Sequence, residues 1–236
     1  MIQKTKEEYL KEHKNWGSIK LINFPEKNER LAELVGIILG DGNLHVYTKG
    51  SNVGTYSLRI AGNYIKDHEY LTNYVASLCK DLFMVKPRTY KQPNVNCIYL
   101  IIDGRLIIDF LIEIGLKSGN KIKSQVTIPD WIMENNEYLK SCIRGLIDTD
   151  GCVYEMLPHW PGLFQINFEN RNITLLRDTR EALIKLGYHP SKICGNRTQF
   201  GTKIYISRKE EIKRFYKEIG SSNDRNIKQF TKVFNS

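Results

Sequence analysis

The 236-residue sequence has no Cys-x-x-Cys pair, no histidine cluster and no apolar run long enough to cross a membrane. Each absence removes a class of protein. The five cysteines, Cys79, Cys97, Cys142, Cys152 and Cys194, are scattered, and even Cys142 and Cys152 lack the spacing of a zinc ribbon. They read as reduced, structural thiols of an intracellular protein. His13, His45, His68, His159 and His189 stand alone, which excludes a histidine-based metal nuclease motif. The apolar stretches 98–102 and 106–108 are broken by Asp103-Gly104-Arg105, and the Lys/Glu-rich start carries no signal peptide. What is present is a hydrophobic fraction of 41%, enough for a real core. A net charge of +9 and a pI near 9.2 point to an anionic partner, nucleic acid before a membrane surface.

Two stretches organise the rest. Leu34-Val35-Gly36-Ile37-Ile38-Leu39-Gly40-Asp41-Gly42 and Ile143-Arg144-Gly145-Leu146-Ile147-Asp148-Thr149-Asp150-Gly151 are both apolar, helix-like and closed by Asp-Gly. Gly36 and Gly40, and Gly145 and Thr149, lie four residues apart and line one helix face, so two backbones can approach closely. The glycine after each aspartate is expected to stop its helix in the left-handed conformation. Helices packed through these faces would bring Asp41 and Asp150 together at the negative end of both dipoles. Two carboxylates there repel, and a divalent cation such as Mg²⁺ between them relieves the repulsion.

Taken in order, residues 1–28 form a polar N-terminal extension that ends at Phe24-Pro25 and either packs on the body or touches a partner. The alternation at 44–47 and 56–60 predicts a hairpin turning through 49–52. The 66–83 segment has helical spacing, 86–90 and 97–102 read as strands, and 106–115 as a helix ended by Gly115. After a basic connection at 117–124 the order repeats: helix 138–149, strands 152–154 and 164–168, helix 174–186, strands 192–196 and 203–206, helix 210–219. Asp150 follows Asp41 by 109 positions and Gly220 follows Gly115 by 105. The near-constant offset marks an internal duplication. The expected domains are 1–28, a first half at 29–123, and a second half at 124–236 with a polar tail from 221 that docks as a short helix. The expected class is α+β, a pseudo-twofold pair of αββαββα units. Each carries a four-stranded antiparallel sheet with helices on one face.

The two stretches resemble the motif of the LAGLIDADG homing endonucleases in their single-chain, two-motif form. The second copy is close to the family pattern; the first has Leu39 where the penultimate acid belongs. The segment Ile128-Pro129-Asp130-Trp131-Ile132 also resembles a lead-in of that family. The resemblance runs from about Leu31 to the C-terminus. It implies that Asp41 and Asp150 are the catalytic, metal-binding residues, with two or more divalent ions between them, and that the two sheets form a saddle on the DNA major groove. The carbonyls of Gly40 and Thr149 are further oxygen ligands at the helix ends. Asp148, with Leu39 as its counterpart, is structural or supports the site from behind. Arg105, Arg208 and Lys209 are the nearest candidates for a charge-stabilising base.

On the polar strand positions stand His45, Tyr47, Arg59, Arg88, Tyr90, Tyr154, Gln165, Asn167, Asn196, Arg197, Gln199, Lys203 and Tyr205. These types suit base edges, arginine for guanine and asparagine or glutamine for adenine. The expected protein is therefore a monomeric, Mg²⁺-dependent endonuclease for a long, asymmetric double-stranded DNA target, needing neither membrane nor protein partner. An initial Met and the Asn-Ser end suggest an intron-encoded enzyme rather than an intein. The alternatives are an RNA-intron maturase of the same fold and a non-catalytic DNA-binding regulator.

Overall fold

The computed structural model describes residues 22–49, 53–195 and 202–235. The chain runs α1 (Glu29–Asp41), β1 (Gly42–Lys49), β2 (Val53–Gly62), a π-helical turn (Tyr70–Val75) leading into α2 (Ala76–Phe83), β3 (Arg88–Lys91), β4 (Ile98–Asp103) and α3 (Arg105–Glu113). Two short helices follow, α4 (Lys121–Ser124) and α5 (Asp130–Met133). The order then repeats as α6 (Asn136–Thr149), β5 (Gly151–Glu155), β6 (Phe164–Asn170), α7 (Ile173–Lys185), β7 (Thr202–Ile206), α8 (Lys209–Glu218) and α9 (Asp224–Asn235). Asparagine starts the main helices: Asn28, Asn135 and Asn172 each accept backbone N–H bonds from the first turn of α1, α6 and α7.

The centre of the molecule is the α1–α6 pair. Leu31, Leu34, Val35, Ile37, Ile143 and Leu146 are all wholly buried, so α1 is apolar nearly all round, as a central helix must be. The two backbones touch. A Cβ placed on Gly36 would lie 2.1 Å from the Cys142 carbonyl oxygen, and one on Gly145 would lie 2.4 Å from that of Glu33. An ion pair crosses this interface, from Arg144 Nη2, on a half-buried side chain, to the buried Glu33 Oε2 at 2.6 Å.

The first sheet is antiparallel in the order β1-β2-β4-β3, and the second repeats it as β5-β6-β7. Leu44, Leu58, Ile60, Leu100 and Ile102 on one sheet, and Val153, Ile166, Phe168, Ile204 and Ile206 on the other, face the helices and are buried. The second sheet has three strands among the described residues. Of the segment 192–196, Cys194 makes an isolated bridge to Lys203, and Asn196 lies outside the described residues, as does the 50–52 turn of the first hairpin.

The motif glycines depart from expectation. Gly42 is extended, at φ −86° and ψ 158°, and Gly151 is not left-handed either. Each helix passes directly into a strand. Glycine is needed there because a Cβ would meet the turn behind it, 2.5 Å from Ile38 Cα and 2.7 Å from Ile147 Cα. Left-handed stops fall instead at Met84, Gly187 and Gly220, at the ends of α2, α7 and α8.

The segments beside the two halves' ends are docked by residues distant in sequence. Just past the first half, Val126 accepts from Asn172 Nδ2 at 2.8 Å, and Thr127 Oγ1 and the Ile128 N–H donate to the Asp178 carboxylate. From the second, Asn223 Nδ2 donates to Asp67 at 3.1 Å and Ser222 Oγ to Glu33 at 2.9 Å. Trp131 of the lead-in donates to the Ile114 carbonyl and so caps α3. The tail is a full helix, α9, with Phe230 buried and stacked on Tyr216 at 4.8 Å. All five cysteines carry free thiols. Among the described residues no helix is long and apolar enough to cross a membrane.

Candidate metal centre and nucleic-acid face

The contact of α1 with α6 delivers Asp41 and Asp150 to one place. Asp41 is the last residue of α1 and Asp150 directly follows α6. A Cβ on Gly40 would stand 3.6 Å from Asp150 Oδ2, so that carboxylate lies over the end of the opposite helix. Asn170 Nδ2 donates to the same oxygen at 2.7 Å. Burial pushes the Asp41 carboxyl well above its ordinary range, and Asp150 pushes it further; Lys121 and Arg225 oppose both. Burial also raises Asp150, against the pull of Lys121, the Asn170 bond and Arg225.

Those two cations were not legible as site residues. Lys121 Nζ donates to the carbonyls of Ile38 at 3.3 Å and Leu39 at 2.9 Å, and to that of Gly40, at the negative end of α1. Burial lowers its pKa while the two aspartates hold it up. Arg225 does the same for α6, donating to the carbonyls of Asp148 at 3.1 Å, Thr149 at 3.3 Å and Gly151 at 3.4 Å. It also pairs with Asp67 at 3.5 Å. Each lies in the closing segment of its half. Lys121 follows Asp41 by 80 positions and Arg225 follows Asp150 by 75, so the two occupy comparable places in their halves.

Arg105, Arg208 and Lys209 are not among the charges acting on the pair. Arg105 pairs with Asp109 at 3.1 Å and lies over the Tyr56 ring; Arg208 pairs with Glu211 at 3.2 Å; Lys209 opens α8. They start helices after the last strand of each half, whereas the cations that reach the centre come from the connectors beyond those helices. Asp148 is buried and serves the tail: it accepts from Ser221 Oγ, from the Ser222 N–H at 2.6 Å and from Asn226 at 3.1 Å.

The donor set suits a hard divalent cation. It offers two carboxylates and helix-end carbonyls, with no thiolate or imidazole, and its carbonyls already draw an ammonium and a guanidinium. The Gly40 and Thr149 carbonyls are held by Lys121 and Arg225 here. Among the described residues no group of three or more His, Cys, Asp or Glu converges. A Mg²⁺ ion held by one or two carboxylates would complete its shell with water and phosphate oxygens.

Strand register gathers the polar positions. His45 pairs with Ser57, which pairs with Asp103; Arg59 pairs with Ile101, which pairs with Arg88; Tyr90 pairs with Tyr99. Directly paired residues share a face, so His45, Tyr47, Arg59, Arg88 and Tyr90 stand on the side away from the helices, with Tyr99 added. In the second sheet, Tyr154 pairs with Gln165, Asn167 with Tyr205, and Glu169 with Lys203, again on one face. Arg197 and Gln199, with Asn196, lie outside the described residues. Arg88 is tied to Asp103 at 3.0 Å, and Tyr154 donates to Gln165 at 2.8 Å.

Residues 137–220 match the LAGLIDADG-like domain family. The fold is similar to that of I-DmoI, whose crystal structure is in complex with DNA and Mn: TM-score 0.58 at 18% identity, over 82% of this chain and 97% of that one. It is also similar to the LAGLIDADG meganuclease I-AabMI bound to uncleaved DNA, with a TM-score of 0.58 at 12% identity, over 89% and 90%. Among curated proteins, the replication factor C small subunit of Methanocaldococcus jannaschii is 25% identical over 90% of this chain, and the tRNA-splicing ligase RtcB of Methanopyrus kandleri 23% identical over 82%. The chain spans only 10% and 21% of those two proteins. What it shares with them is a segment both carry, not the activities that name them.

Proposed function

We propose that this chain, a LAGLIDADG-type protein with the two-sheet fold of the single-chain enzymes and a LAGLIDADG-like domain in its second half, is a site-specific, Mg²⁺-dependent endonuclease that cuts both strands of DNA. The observation that carries this reading is the pair of half-buried carboxylates, Asp41 and Asp150, held at abutting helix ends between two cations. Halves 29–123 and 124–236 differ in sequence, so one monomer reads an asymmetric site. The strand faces bearing Arg59, Arg88, Gln165 and Asn167 lie in the major groove. Asp41 and Asp150 hold the divalent ions, which when bound supply Lewis acidity and a water of lowered pKa. Asn170 fixes the rotamer of Asp150. Lys121 and Arg225 leave the helix-end carbonyls and turn to phosphate oxygens, where they offset the charge that builds during displacement. Asp148 and Glu33 hold the tail so that Arg225 arrives in place.

As to origin, an intron is one source. The curated relatives favour a second, an endonuclease segment carried in frame within a host protein, since proteins of unrelated names share it. A plasmid bearing the uninterrupted insertion site tests the activity. Linearisation with Mg²⁺ and none with EDTA is expected. Tight binding without cutting in Mg²⁺ would favour a DNA-binding regulator. Stimulation of intron splicing without DNA cleavage would favour a maturase.

A further inference from the structure

Two clefts lie beside the helix-end cations, and they are counterparts. The larger, about 620 Å³, is lined by Lys66, Glu69, Tyr70, Asn223, Asp224 and Arg225 among others. The smaller, about 460 Å³, is lined by Lys121, Asp150, Asn170, Asn172 and Leu175 among others. Each holds one of the two helix-end cations. Each also holds a residue from the start of the helix that follows the second strand of its half, Tyr70 in one and Leu175 in the other. At this position the chemistry of the two halves diverges. Leu175 is a wholly buried apolar side chain. Tyr70 is 6% exposed, and its hydroxyl has no hydrogen-bond partner among the described residues.

A buried hydroxyl left without a partner is destabilising, because it gives up its bond to water and gains none in return. A leucine, as in the other half, would avoid that cost. The backbone is unusual at the same place. Over Tyr70–Val75 the helix is π-wound, with the Ala76 N–H reaching back five residues to the Leu71 carbonyl. Single π-turns inside α-helices concentrate at functional sites. The ring is held flat against Tyr74 at 5.9 Å and 10°, and Tyr74 Oη donates to Glu33 at 2.8 Å. Tyr70 therefore cannot swing to a distant partner. Burial, with the nearby carboxylates of Asp148, Glu33 and Asp41, pushes its pKa up, so the phenol keeps its proton and remains a donor.

We infer that Tyr70 is a positioning residue whose hydroxyl donates to a water molecule at the floor of the Arg225-side cleft, ordering the solvent that reaches Asp41 and the phosphate bound beside it. The inference rests on the endonuclease reading and adds an asymmetry to it. Leu175, at the matching position of the other cleft, offers no donor, so the two strands depend on Tyr70 unequally.

The test is Tyr70→Phe, which keeps the ring and its stacking and removes only the O–H. In the structure no hydrogen bond is lost, so a purely structural role predicts unchanged or raised melting temperature and unchanged cleavage. The positioning role predicts the same melting temperature and DNA affinity, with cutting of one strand slowed roughly tenfold or more, the scale of one hydrogen bond lost in the transition state. Duplexes labelled on either strand separate the two rates. Parent rates on both strands, or equal slowing of both, would overturn the inference. A crystal structure of the parent chain is the second arm. Water within hydrogen-bonding distance of Tyr70 Oη, gone in Tyr70→Phe, is expected, and its absence from the parent overturns the assignment whatever the cleavage result. A parent that cuts no duplex overturns the endonuclease reading instead, and the solvent density then decides on Tyr70 alone.

Discussion

Adding a single methyl group at Gly36 tests whether the helix pair sets the geometry of the centre. The Cβ of Gly36→Ala would lie 2.1 Å from the Cys142 carbonyl oxygen, where ordinary contact begins near 3.4 Å. The atom it meets is backbone in the middle of α6, so no side-chain rotation relieves the clash. The helices must separate by about 1 Å. Overpacking of this kind costs about 1–3 kcal/mol, whereas alanine in place of glycine favours a helix interior by about 1 kcal/mol. The net expectation is a loss of up to about 2 kcal/mol. Catalysis should suffer more, because a displacement of about 1 Å between catalytic groups costs on the order of a hundredfold in rate. Gly40→Ala serves as a graded control. Its Cβ meets the Thr149 hydroxyl at 2.0 Å, a side-chain atom that can turn away from the Gly145 and Leu146 carbonyls it now bonds. The assays are thermal melting, gel-shift affinity and plasmid linearisation for Gly36→Ala, Gly145→Ala and Gly40→Ala. Melting at or above the parent temperature together with cleavage at the parent rate, for Gly36→Ala or Gly145→Ala, would refute the claim that these backbones touch.

Asp41→Asn and Asp150→Asn should each abolish double-strand cutting while DNA affinity holds or rises, since each removes a negative charge near phosphate; full linearisation by either would sink the metal assignment. Stabilisation by Mg²⁺ should depend on pH. The raised carboxyls of Asp41 and Asp150 hold protons closer to neutrality than ordinary aspartates, and protons compete with the ion. The Mg²⁺-induced rise in melting temperature should therefore be large at about pH 8 and small at about pH 5.5; an equal shift at both would argue against the pair as ligands. With a net charge of +9, affinity should fall steeply with salt for target and scrambled duplex alike. The target should keep an advantage throughout if the strand faces read bases, and identical affinities at every salt concentration would remove that role.

The two motif helices, their aspartates and the strand faces were legible because each rests on local periodicity. The spacing of Gly36 with Gly40 and of Gly145 with Thr149 defines a helix face before any partner is known. Alternation along 44–47 and 56–60 assigns His45 and Arg59 to the side opposite Leu44 and Leu58, and the register then places them together. The role of Gly42 and Gly151 was misjudged, because an Asp-Gly pair after a helix looks the same whether the chain needs a left-handed residue or a missing Cβ. Only the direct passage from helix into strand, with Ile38 and Ile147 crowding from behind, distinguishes the two.

Lys121 and Arg225 mark the boundary between sequence and tertiary structure. The sequence by itself determined a duplicated α+β chain, two carboxylates at matched helix ends and a surplus of positive charge. Which cations face those carboxylates was settled by how the segments around Lys121 and Arg225 dock. Bonds to Asn172, Asp178, Asp67 and Glu33, each 46 or more positions away from the atoms they hold, anchor those segments. No local pattern encodes it. A lysine on a polar connector has the same neighbours in sequence whether it points to water or to the Leu39 carbonyl, and only the packed structure supplies the burial and charge that bind it there.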